Sequence, residues 1–548
     1  MAMVNVVVAI ALLEYLAFGL LVGRARGQFG VPAPATTGHP VFERYYRVQM
    51  NTLELLVAFV PAMWMFGQYV SEAWAAGLGL VFVFGRALYL LGYVKDASKR
   101  HIGFGLSFMP LVALLLGGAL CAAAQAGALK AIVGGTVIDG LGSTPIHNGV
   151  VLIDGERIRA VGPRSQVEVP PDAEVISAEG MTVLPGLWDL QVHLTRLGHG
   201  DAARWNETYL PLADRVITPL AARQLLLAGV TSARDVESPL SVALNVRERV
   251  RAKRIPGPTL YVGGPSLTRA PAAGSWQWNV SDVEDARAKA RKLADAGVDY
   301  LLLADLDLWS SEELLAAIAE ARSRGLPVHA QAGSAAAIER GLAAQVDGFL
   351  GTGPGAQPAF PDTVVLALRQ RLLSQPNKPV FWSPGASAVF SYERLRDDAE
   401  PLDDPEVFAA LPAVIAGDVR ASLANLDRVS GLDMPTSRRP TLCNKVRQLR
   451  DAGAALVAGS DAGVPAHLHS RATWQEIDVW VRECGIDAAY AIQAATHDAA
   501  VAMGAQNESG SLGPGKYADV IAVRGNVLLH PALLANPTIV IRHGQRYR

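Results

Sequence analysis

Four long apolar runs within the first 125 residues constrain this chain more than any other feature of its sequence. The runs cover residues 3–23, 53–67, 73–93 and 102–124. Each is close to the roughly 20 residues that a helix needs to cross the hydrocarbon core of a bilayer. Half of all residues are hydrophobic, 18% are charged and the mean hydropathy is +0.22, which is high for a water-soluble protein. The sequence therefore predicts a four-helix transmembrane bundle over residues 1–125, with the lipid bilayer as a partner.

The basic residues predict how these helices are oriented. Lys and Arg cluster in the first and third connecting loops, whereas the N-terminal run and the second loop, 68–72, carry none. Because cytoplasmic loops carry the excess of positive charge, the chain is predicted to leave a bacterial inner membrane near Gln125 on the periplasmic side. The end of the fourth run, LLLGGALCAAAQA, also resembles the late part of a signal peptide, so cleavage near Ala126 is an alternative.

Polar side chains in the second and third runs follow helical spacing. Steps of four, four and three residues place Glu43, Arg47, Asn51 and Glu54 on one helical face. Similar spacing on the third run links Arg86, Tyr89 and Tyr93. Ionisable residues at membrane depth usually face a bundle interior and mark a site. Hydrogen bonding between helices, with snorkelling of the long side chains, is the structural alternative.

The segments ERYYRVQMNTLE and GRALYLLGY resemble the MAPEG family, the membrane-associated proteins of eicosanoid and glutathione metabolism. The resemblance covers roughly residues 1–125 and implies a homo-oligomer, a trimer that binds glutathione between protomers near the cytoplasmic face. Six residues would line the glutathione site: Arg47, Asn51, Glu54, Arg86, Tyr89 and Tyr93. Met50 departs from the family pattern, in which catalytic members often carry another arginine beside the asparagine.

Residues 126–548 predict a second, α/β domain, so the chain is expected to be multidomain. Short strands with Gly and Asp turns at both ends predict a small β-sandwich built from 126–185 plus 505–548. Between them, over 186–504, apolar strands alternate with helical stretches in about eight units, which predicts a TIM-like (β/α)8 barrel. The working residues of such a barrel lie at the C-terminal ends of its strands.

The motifs PGLWDLQVHL, GVTSARDV, LPVHAQAGS, VAGSDAG and SLGPGKYADVIAV resemble the amidohydrolase superfamily, in its imidazolonepropionase- and prolidase-like branch. The resemblance runs over essentially all of 128–548. It implies metal-dependent hydrolysis of a non-peptide C–N bond in an amide or lactam. It also implies metal ligands from an HxH pair, a carboxylated lysine, two later histidines and a final aspartate, which is also the general base.

Most of these metal positions hold other residues in this chain. In chain order they are Gln191, His193, Leu302, Gln331, Gly351 and Asp461. Leu and Gly cannot ligate through their side chains, an amide oxygen is a weak donor, and catalytic zinc normally has three protein ligands. The candidate catalytic residue is Asp461, and a degenerate site for one divalent metal, zinc first, would use Gln191, His193, Gln331 and Asp461. A shifted or rescued site would draw on His199, His329, His467 and His469.

Other residues predicted near the C-terminal ends of the barrel strands have two interpretations each. Arg234 and Asp235 are either a structural pair that holds the barrel or catalytic groups. Four tryptophans either form an aromatic pocket or fill the rim: Trp276, Trp278, Trp309 and Trp382. The three cysteines lie far apart, so no disulfide framework is expected. A net charge of −2 argues against nucleic acid as a partner.

Three functions remain open from the sequence. The first is a membrane-anchored hydrolase of C–N bonds with a reduced metal site. The second is a pseudoenzyme, in which the barrel binds a small molecule without hydrolysing it. The third places glutathione transferase or peroxidase chemistry in the membrane half, with the barrel as a binding or display module.

Overall fold

The computed structural model describes residues 1–125, 129–353, 357–397, 408, 411–424, 429 and 439–548. The chain divides into two compact units, Met1–Ala128 and Leu129–Arg548. The cleavage position considered near Ala126 lies outside the described residues. The finer division of the second unit, into 126–185 plus 505–548 and 186–504, stays a prediction.

The first unit is a bundle of four helices, all long and apolar enough to cross a membrane. They are α1 (Ala2–Gln28), α2 (Pro40–Tyr69), α3 (Glu72–Lys95) and α4 (His101–Gln125). Helix α2 begins well before the apolar run at residue 53. Pro40 occupies its first turn, where a missing N–H costs nothing, and the His39 side chain caps Val41 N. The segment from Glu43 to Glu54, which carries the polar residues at helical spacing, is therefore helical throughout.

Glycines bring α3 and α4 into close contact. A Cβ at Gly85 would lie 2.7 Å from Ser107 Oγ, and one at Gly103 would collide with the backbone of Tyr89. Small residues at such crossings let helix backbones approach in a membrane. On the α2 side, the Phe59 and Phe82 rings stack at 3.9 Å. This packing fixes the position of α3, which carries three of the predicted glutathione-site residues.

The second unit contains strands at both ends and an alternation of strands and helices between them. Its strands are β1 (Lys130–Val137), β2 (Ile146–Asp154), β3 (Arg157–Pro163), β4 (Glu174–Ser177), β5 (Met181–Pro185), β6 (Leu187–Val192), β7 (Val230–Asp235), β8 (Thr259–Val262), β9 (Ser266–Thr268), β10 (Gln277–Asn279), β11 (Leu301–Leu303), β12 (Val328–Gln331), β13 (Gly348–Leu350), β14 (Phe381–Ser383), β15 (Ala455–Leu456), β16 (Val520–Arg524), β17 (Ile539–Arg542) and β18 (Gln545–Arg546). Its helices are α5 (Ala202–Thr208), α6 (Thr218–Leu227), α7 (Leu240–Arg251), α8 (Val283–Asp295), α9 (Ser311–Ser323), α10 (Ala335–Ala343), α11 (Asp362–Ser374), α12 (Ala386–Asp397), α13 (Ala413–Ala424), α14 (Arg439–Asp451), α15 (Ala472–Asp478), α16 (Ala488–Ala494) and α17 (His497–Ala502).

The strands from the two ends pair in the order β18-β17-β16-β5-β1-β2-β3, with β4 also paired to β1. Strand β1 changes partner along its length: its first half pairs with β4 and its second half pairs with β5. Gly134 has a φ of +88° at the change of partner, where the register with β2 also shifts. Glycine adopts this conformation without a Cβ penalty. The strands predicted for the small sandwich, from both ends of this unit, are therefore hydrogen-bonded to one another.

The barrel has eight parallel strand positions, as predicted. They run β6-β7-β8 and then β11-β12-β13-β14-β15, and β9 continues the line of β8 and pairs with β11. A bridge between Val192 and Ala462 and a 2.8 Å hydrogen bond from Leu190 N to Ala458 O join β6 to the β15 side. This closure brings the C-terminal ends of β6 and β15 together.

One expectation from the cysteines is wrong. Cys443 in α14 and Cys484 form a disulfide across a sequence separation of 41 residues. Their spacing gave no indication of this, because the barrel topology, and not the local sequence, places α14 beside the segment that ends at Cys484. Cys121 in α4 is a free thiol.

Candidate functional sites

Three of the predicted metal-site residues meet at the C-terminal end of β6. Gln191 and His193 are two residues apart, so they point to the same side. Gln191 Nε2 donates to Asp461 Oδ1 at 3.0 Å, and His193 Nε2 lies 3.0 Å from the same oxygen. Asp461 has a φ of +63°, and its backbone N–H donates to Gln191 O at 2.8 Å. The strand and the loop after β15 therefore hold one compact polar cluster.

The charge of this cluster is set by its hydrogen bonds. Burial by itself would raise the pKa of Asp461, but hydrogen bonds and charge from His193, together with the Gln191 amide, outweigh burial and lower that pKa. Among the described residues, Gln191 Oε1 and His193 Nδ1 have no hydrogen-bond partner, and neither has the buried Ser383 Oγ at the end of β14. Gly385 leaves the position beside Asp461 without a side chain. A Cβ on Gly385 would lie 3.7 Å from the Asp461 Cβ, in ordinary van der Waals contact.

Gln331 is not part of this cluster. Its Nε2 donates to Glu237 Oε1 at 3.1 Å, and Ser266 Oγ donates to the same oxygen at 2.9 Å. Sequence reasoning missed Glu237, although it follows the TSARDV strand directly and a carboxylate at a strand end is a recognisable signal. Leu302 is buried, and a Cβ on Gly351 would meet nothing within 4 Å. Of the six positions that the amidohydrolase resemblance implies as metal ligands, Leu302 therefore supplies an apolar side chain and Gly351 supplies no side chain.

The residues present do not fit a tightly bound divalent metal. Within the described ranges, no three His, Cys, Asp or Glu side chains are placed to share an ion. Asp461 Oδ1 already faces two nitrogen atoms, and a His193 Nε2 that donates a proton has no lone pair for a metal. A catalytic zinc normally needs three protein ligands with free lone pairs.

Two of the other histidines are enclosed by the barrel. His329 packs edge-on against Tyr300, with ring centroids 5.8 Å apart. Burial lowers the pKa of His329 well below its usual value, and the nearby Arg234 lowers it further. Burial also lowers the pKa of His469 to about 3, which keeps its ring neutral.

The remaining two histidines are held by polar neighbours. His467 lies between Ser387 Oγ at 3.0 Å and Ser391 Oγ at 2.8 Å. Burial lowers the pKa of His467 to about 4. His199 Nε2 is 3.5 Å from Asp418. Neither His467 nor His199 makes a hydrogen bond to Asp461, so neither joins the cluster at the end of β6.

Buried charges below the cluster brace β6. Asp189 accepts hydrogen bonds from Ser460 N and Oγ, Thr473 Oγ1 and Gln191 N. Burial raises the pKa of Asp189, and these donors oppose the effect without cancelling it.

The adjacent Arg234 and Asp235 brace the same strand separately. Arg234 Nε donates to Leu190 O at 2.7 Å, and Asp235 Oδ1 accepts from Leu194 N at 3.0 Å. These contacts favour the structural interpretation of both residues.

The four tryptophans make separate contacts. Trp382 is buried, stacks on Phe349 at 4.7 Å and donates to Gly351 O. Trp309 is also buried and donates to the Ala304 carbonyl. The other two lie beneath cations: Trp276 beneath Arg196 and Trp278 beneath Lys292. The described contacts therefore favour rim and core filling over a shared aromatic pocket.

In the membrane unit, four of the six predicted glutathione-site residues are linked by direct contacts. Asn51 Nδ2 donates to Tyr89 OH at 2.9 Å. The Tyr89 ring stacks on Tyr93 with centroids 5.4 Å apart, and the Arg86 guanidinium lies 4.2 Å from the centre of the Tyr89 ring. Arg86 is fully buried and donates to Thr52 Oγ1 at 2.6 Å, while its NH1 has no hydrogen-bond partner in the part of the chain that the structure describes.

The other two predicted residues, Arg47 and Glu54, are exposed on α2. They lie on the same helical face as Asn51, so this face combines a buried polar cluster with two outward charges. A third cation was missed by sequence reasoning: Arg100 lies over the Tyr93 ring at 5.8 Å. The basic run between α3 and α4 predicts the orientation of the helices in the membrane, and it also places Arg100 beside this cluster.

Comparisons with known proteins agree with both halves. A model of the MAPEG family matches residues 4–120, and a model of the amidohydrolase family matches residues 182–370 and 397–546. An uncharacterized protein of Synechocystis, sll1147, is 46% identical over 114 residues, which are 21% of this chain and 83% of that protein. The chain belongs to both families. This MAPEG–amidohydrolase fusion confirms the two resemblances and the multidomain fold predicted from the sequence.

Each half of the fusion has named relatives. Human microsomal glutathione S-transferase 2 is 47% identical over 103 residues, which are 19% of the fusion and 70% of that enzyme. The second unit is similar to a solved Xaa-Pro dipeptidase with bound methionine, with a TM-score of 0.58 and 22% identity. That similarity covers 77% of the fusion and all of the dipeptidase chain. At this identity it shows the fold alone.

Proposed function

We propose that the fusion is a glutathione-dependent membrane enzyme whose amidohydrolase unit binds a small molecule without metal-dependent hydrolysis. The observation that carries the first part is the contact chain from Asn51 through Tyr89 to Arg86 and Tyr93. The similarity to microsomal glutathione S-transferase 2 supports the same ligand. Glutathione is a tripeptide anion, and guanidinium and amide groups are the donors that recognise its carboxylates.

The transfer step would use the thiol of bound glutathione. Its thiolate attacks an electrophilic carbon of a lipophilic substrate, a C–S bond forms, and the leaving group departs with the electron pair of the broken bond. A cation beside the thiol favours the thiolate. Arg100, which lies over Tyr93, supplies a cation beside the cluster.

A second copy of the chain is proposed to complete the site, as in a trimer. Glu54 lies near the middle of α2 and is exposed in the single chain. A carboxylate at that depth is costly against lipid and normally faces protein or water. Covering this face by a neighbouring protomer removes the cost and places glutathione between chains.

Replacing Arg47 or Asn51 by alanine is expected to weaken glutathione binding by the full chain in detergent. Loss of a charge-assisted hydrogen bond costs about 1.5–3 kcal/mol, so we expect about 10- to 100-fold weaker binding for Arg47→Ala. For Asn51→Ala, which also releases Tyr89 OH, we expect a loss of about 10-fold. Calorimetric titration with glutathione measures both, and conjugation to an activated aryl chloride follows the thiol transfer.

Arg24→Ala is the matched control, because Arg24 is an exposed arginine at the end of α1 outside the contact chain. Its affinity should equal that of the unmodified chain. Unchanged affinity in both Arg47→Ala and Asn51→Ala would refute the site. The native mass of the same sample checks the trimer, and a monomeric mass contradicts it.

The second part of the proposal rests on Asp461, whose Oδ1 faces both Gln191 and His193 where a metal would need free donors. We expect the purified full chain to hold far less than one zinc, iron or manganese per protomer after mild dialysis. His193→Ala should leave the metal content unchanged, like the control His147→Ala on an exposed strand residue. Elemental analysis decides: near-stoichiometric metal that His193→Ala alone removes would show a rebuilt hydrolase site.

The amidohydrolase unit is proposed to lie on the periplasmic side. The basic loops between α1 and α2 and between α3 and α4 predict this side by the positive-inside rule. The Cys443–Cys484 disulfide supports it independently, since structural disulfides persist in oxidising compartments and are rare in the cytosol.

A further inference from the structure

A cavity lies at the opposite end of the barrel from Asp461. It has a volume of about 490 Å³ and is lined by the first residues of β8, by α7 and by the loop and strand residues near the C-terminal end of the chain. Thr259, the first residue of β8, marks it as the N-terminal end of the barrel strands. Val250, Leu260 and Tyr261 form its apolar surface. None of the residues in the proposed glutathione or Asp461 clusters lines it.

Arg542 of β17 is the unusual group in this cavity. Arg542 is only 5% exposed, its NH2 donates to Thr259 Oγ1 at 3.1 Å, and its Nε has no hydrogen-bond partner among the residues described. It makes no ion pair with any residue that the structure describes. A buried guanidinium that hydrogen-bonds to one neutral hydroxyl, and that meets Glu156 only through its charge at a longer distance, recovers little of the cost of leaving water. A buried, unmatched cation beside a cavity therefore indicates a place for an anion.

The acidic groups that line the cavity already have partners. Asp299 accepts from Arg247 NH1 at 2.8 Å and from Val262 N at 2.7 Å. Glu508 pairs with Arg157 at 2.8 Å. Asp519 accepts only from neutral donors, Ser509 Oγ and His543 N. None of these acids forms an ion pair with Arg542 in the described part of the chain, and the lining holds four Lys or Arg residues against three acidic ones, so the charge of the cavity favours a negatively charged ligand.

The lining also limits the kind of anion. Val250, Leu260 and Tyr261 give a hydrophobic surface on which a fully hydrated inorganic anion would gain nothing. Tyr517 and His543 add a stacked pair of flat rings, with centroids 4.1 Å apart. A ligand that satisfies both features carries an anionic head and an apolar body.

We propose that this cavity binds a small carboxylate with an apolar body. The carboxylate accepts from Arg542 and from the Thr259 hydroxyl, and the body lies against Val250, Leu260 and Tyr261. Arginine suits this role because its planar donor fork matches a carboxylate. This cavity is separate from the proposed glutathione site and from the cluster around Asp461.

The test uses the full chain in a non-ionic detergent and two probes of equal size, 3-phenylpropionate and its neutral amide, 3-phenylpropanamide. Isothermal titration is expected to detect saturable binding of the carboxylate and at least tenfold weaker binding of the amide. This comparison needs no variant, so it does not depend on the folding of a mutant. Failure of 3-phenylpropionate to bind, or equal binding of the two probes, would overturn the proposal.

Two variants then assign the binding to this cavity. Arg542→Met removes the cation and keeps a side chain of similar length, and Ala505→Phe fills the cavity while Arg542 stays in place. Each should weaken 3-phenylpropionate at least tenfold. Arg546→Met, at an exposed position of β18, is the matched control and should bind like the unmodified chain. Full binding by both cavity variants would place the carboxylate elsewhere and refute the site.

Discussion

Replacing Asp189 by alanine is expected to destabilise the second unit by about 4 kcal/mol, because it leaves several buried donors without an acceptor. The carboxylate is fully buried and accepts four hydrogen bonds, two from Ser460 and one each from Thr473 and Gln191. The measurement is denaturant unfolding followed by tryptophan fluorescence. Only Trp64 and Trp74 of the ten tryptophans belong to the first unit, so the signal reports mainly on the second.

Asp189→Asn is the matched control, and it should cost much less. Its amide oxygen can still accept from the backbone N–H groups of Gln191 and Ser460. Its NH2 group can donate to the hydroxyl oxygens of Ser460 and Thr473, which rotate to accept. Equal destabilisation by Ala and Asn, or a loss below about 1 kcal/mol for Ala, would contradict this account of the buried network.

Replacing Cys443 by serine is expected to lower the stability of the second unit by about 2–4 kcal/mol, because the disulfide closes a 41-residue separation and restricts the unfolded chain. The same unfolding assay measures the loss. A reducing agent should lower the stability of the unmodified chain to that of Cys443→Ser and should leave the variant unchanged.

Cys121→Ser is the control, since Cys121 in α4 is a free thiol. It should unfold like the unmodified chain. Alkylation of thiols in intact cells before lysis tests the compartment: one reactive cysteine per chain is expected. Three reactive cysteines would show that the amidohydrolase unit is in the cytoplasm and would contradict the periplasmic proposal.

The sequence predicted elements best where one short-range pattern decides them. Apolar length alone identified the four membrane helices, and the three-to-four spacing of Arg47, Asn51 and Glu54 placed them on one face of α2. The alternation of apolar strands with helices identified the eight barrel strands. Parity within β6 correctly grouped Gln191 with His193, since that grouping needs only the two-residue repeat of a strand.

Other features depend on distant parts of the chain and were beyond local patterns. Gln331 was aligned with the metal positions, but Glu237 on another strand end accepts its amide. The disulfide joins cysteines that only the folded barrel brings together. The cavity around Arg542 arises where β17 meets β8, two strands far apart in sequence, so no window of residues could indicate it.

The pairing of β5 with β16 has a consequence for how the chain matures. Met181–Pro185 pairs in register with Val520–Arg524, so one edge of β5 has no neighbour until nearly the whole chain has emerged from the ribosome. The backbone hydrogen bonds of the membrane helices are local, so these helices can insert one after another. The sheet, by contrast, closes last, after all eight barrel strands have been made. Throughout that interval β5 presents an open strand edge, the kind of surface that pairs with other chains and that chaperones shield.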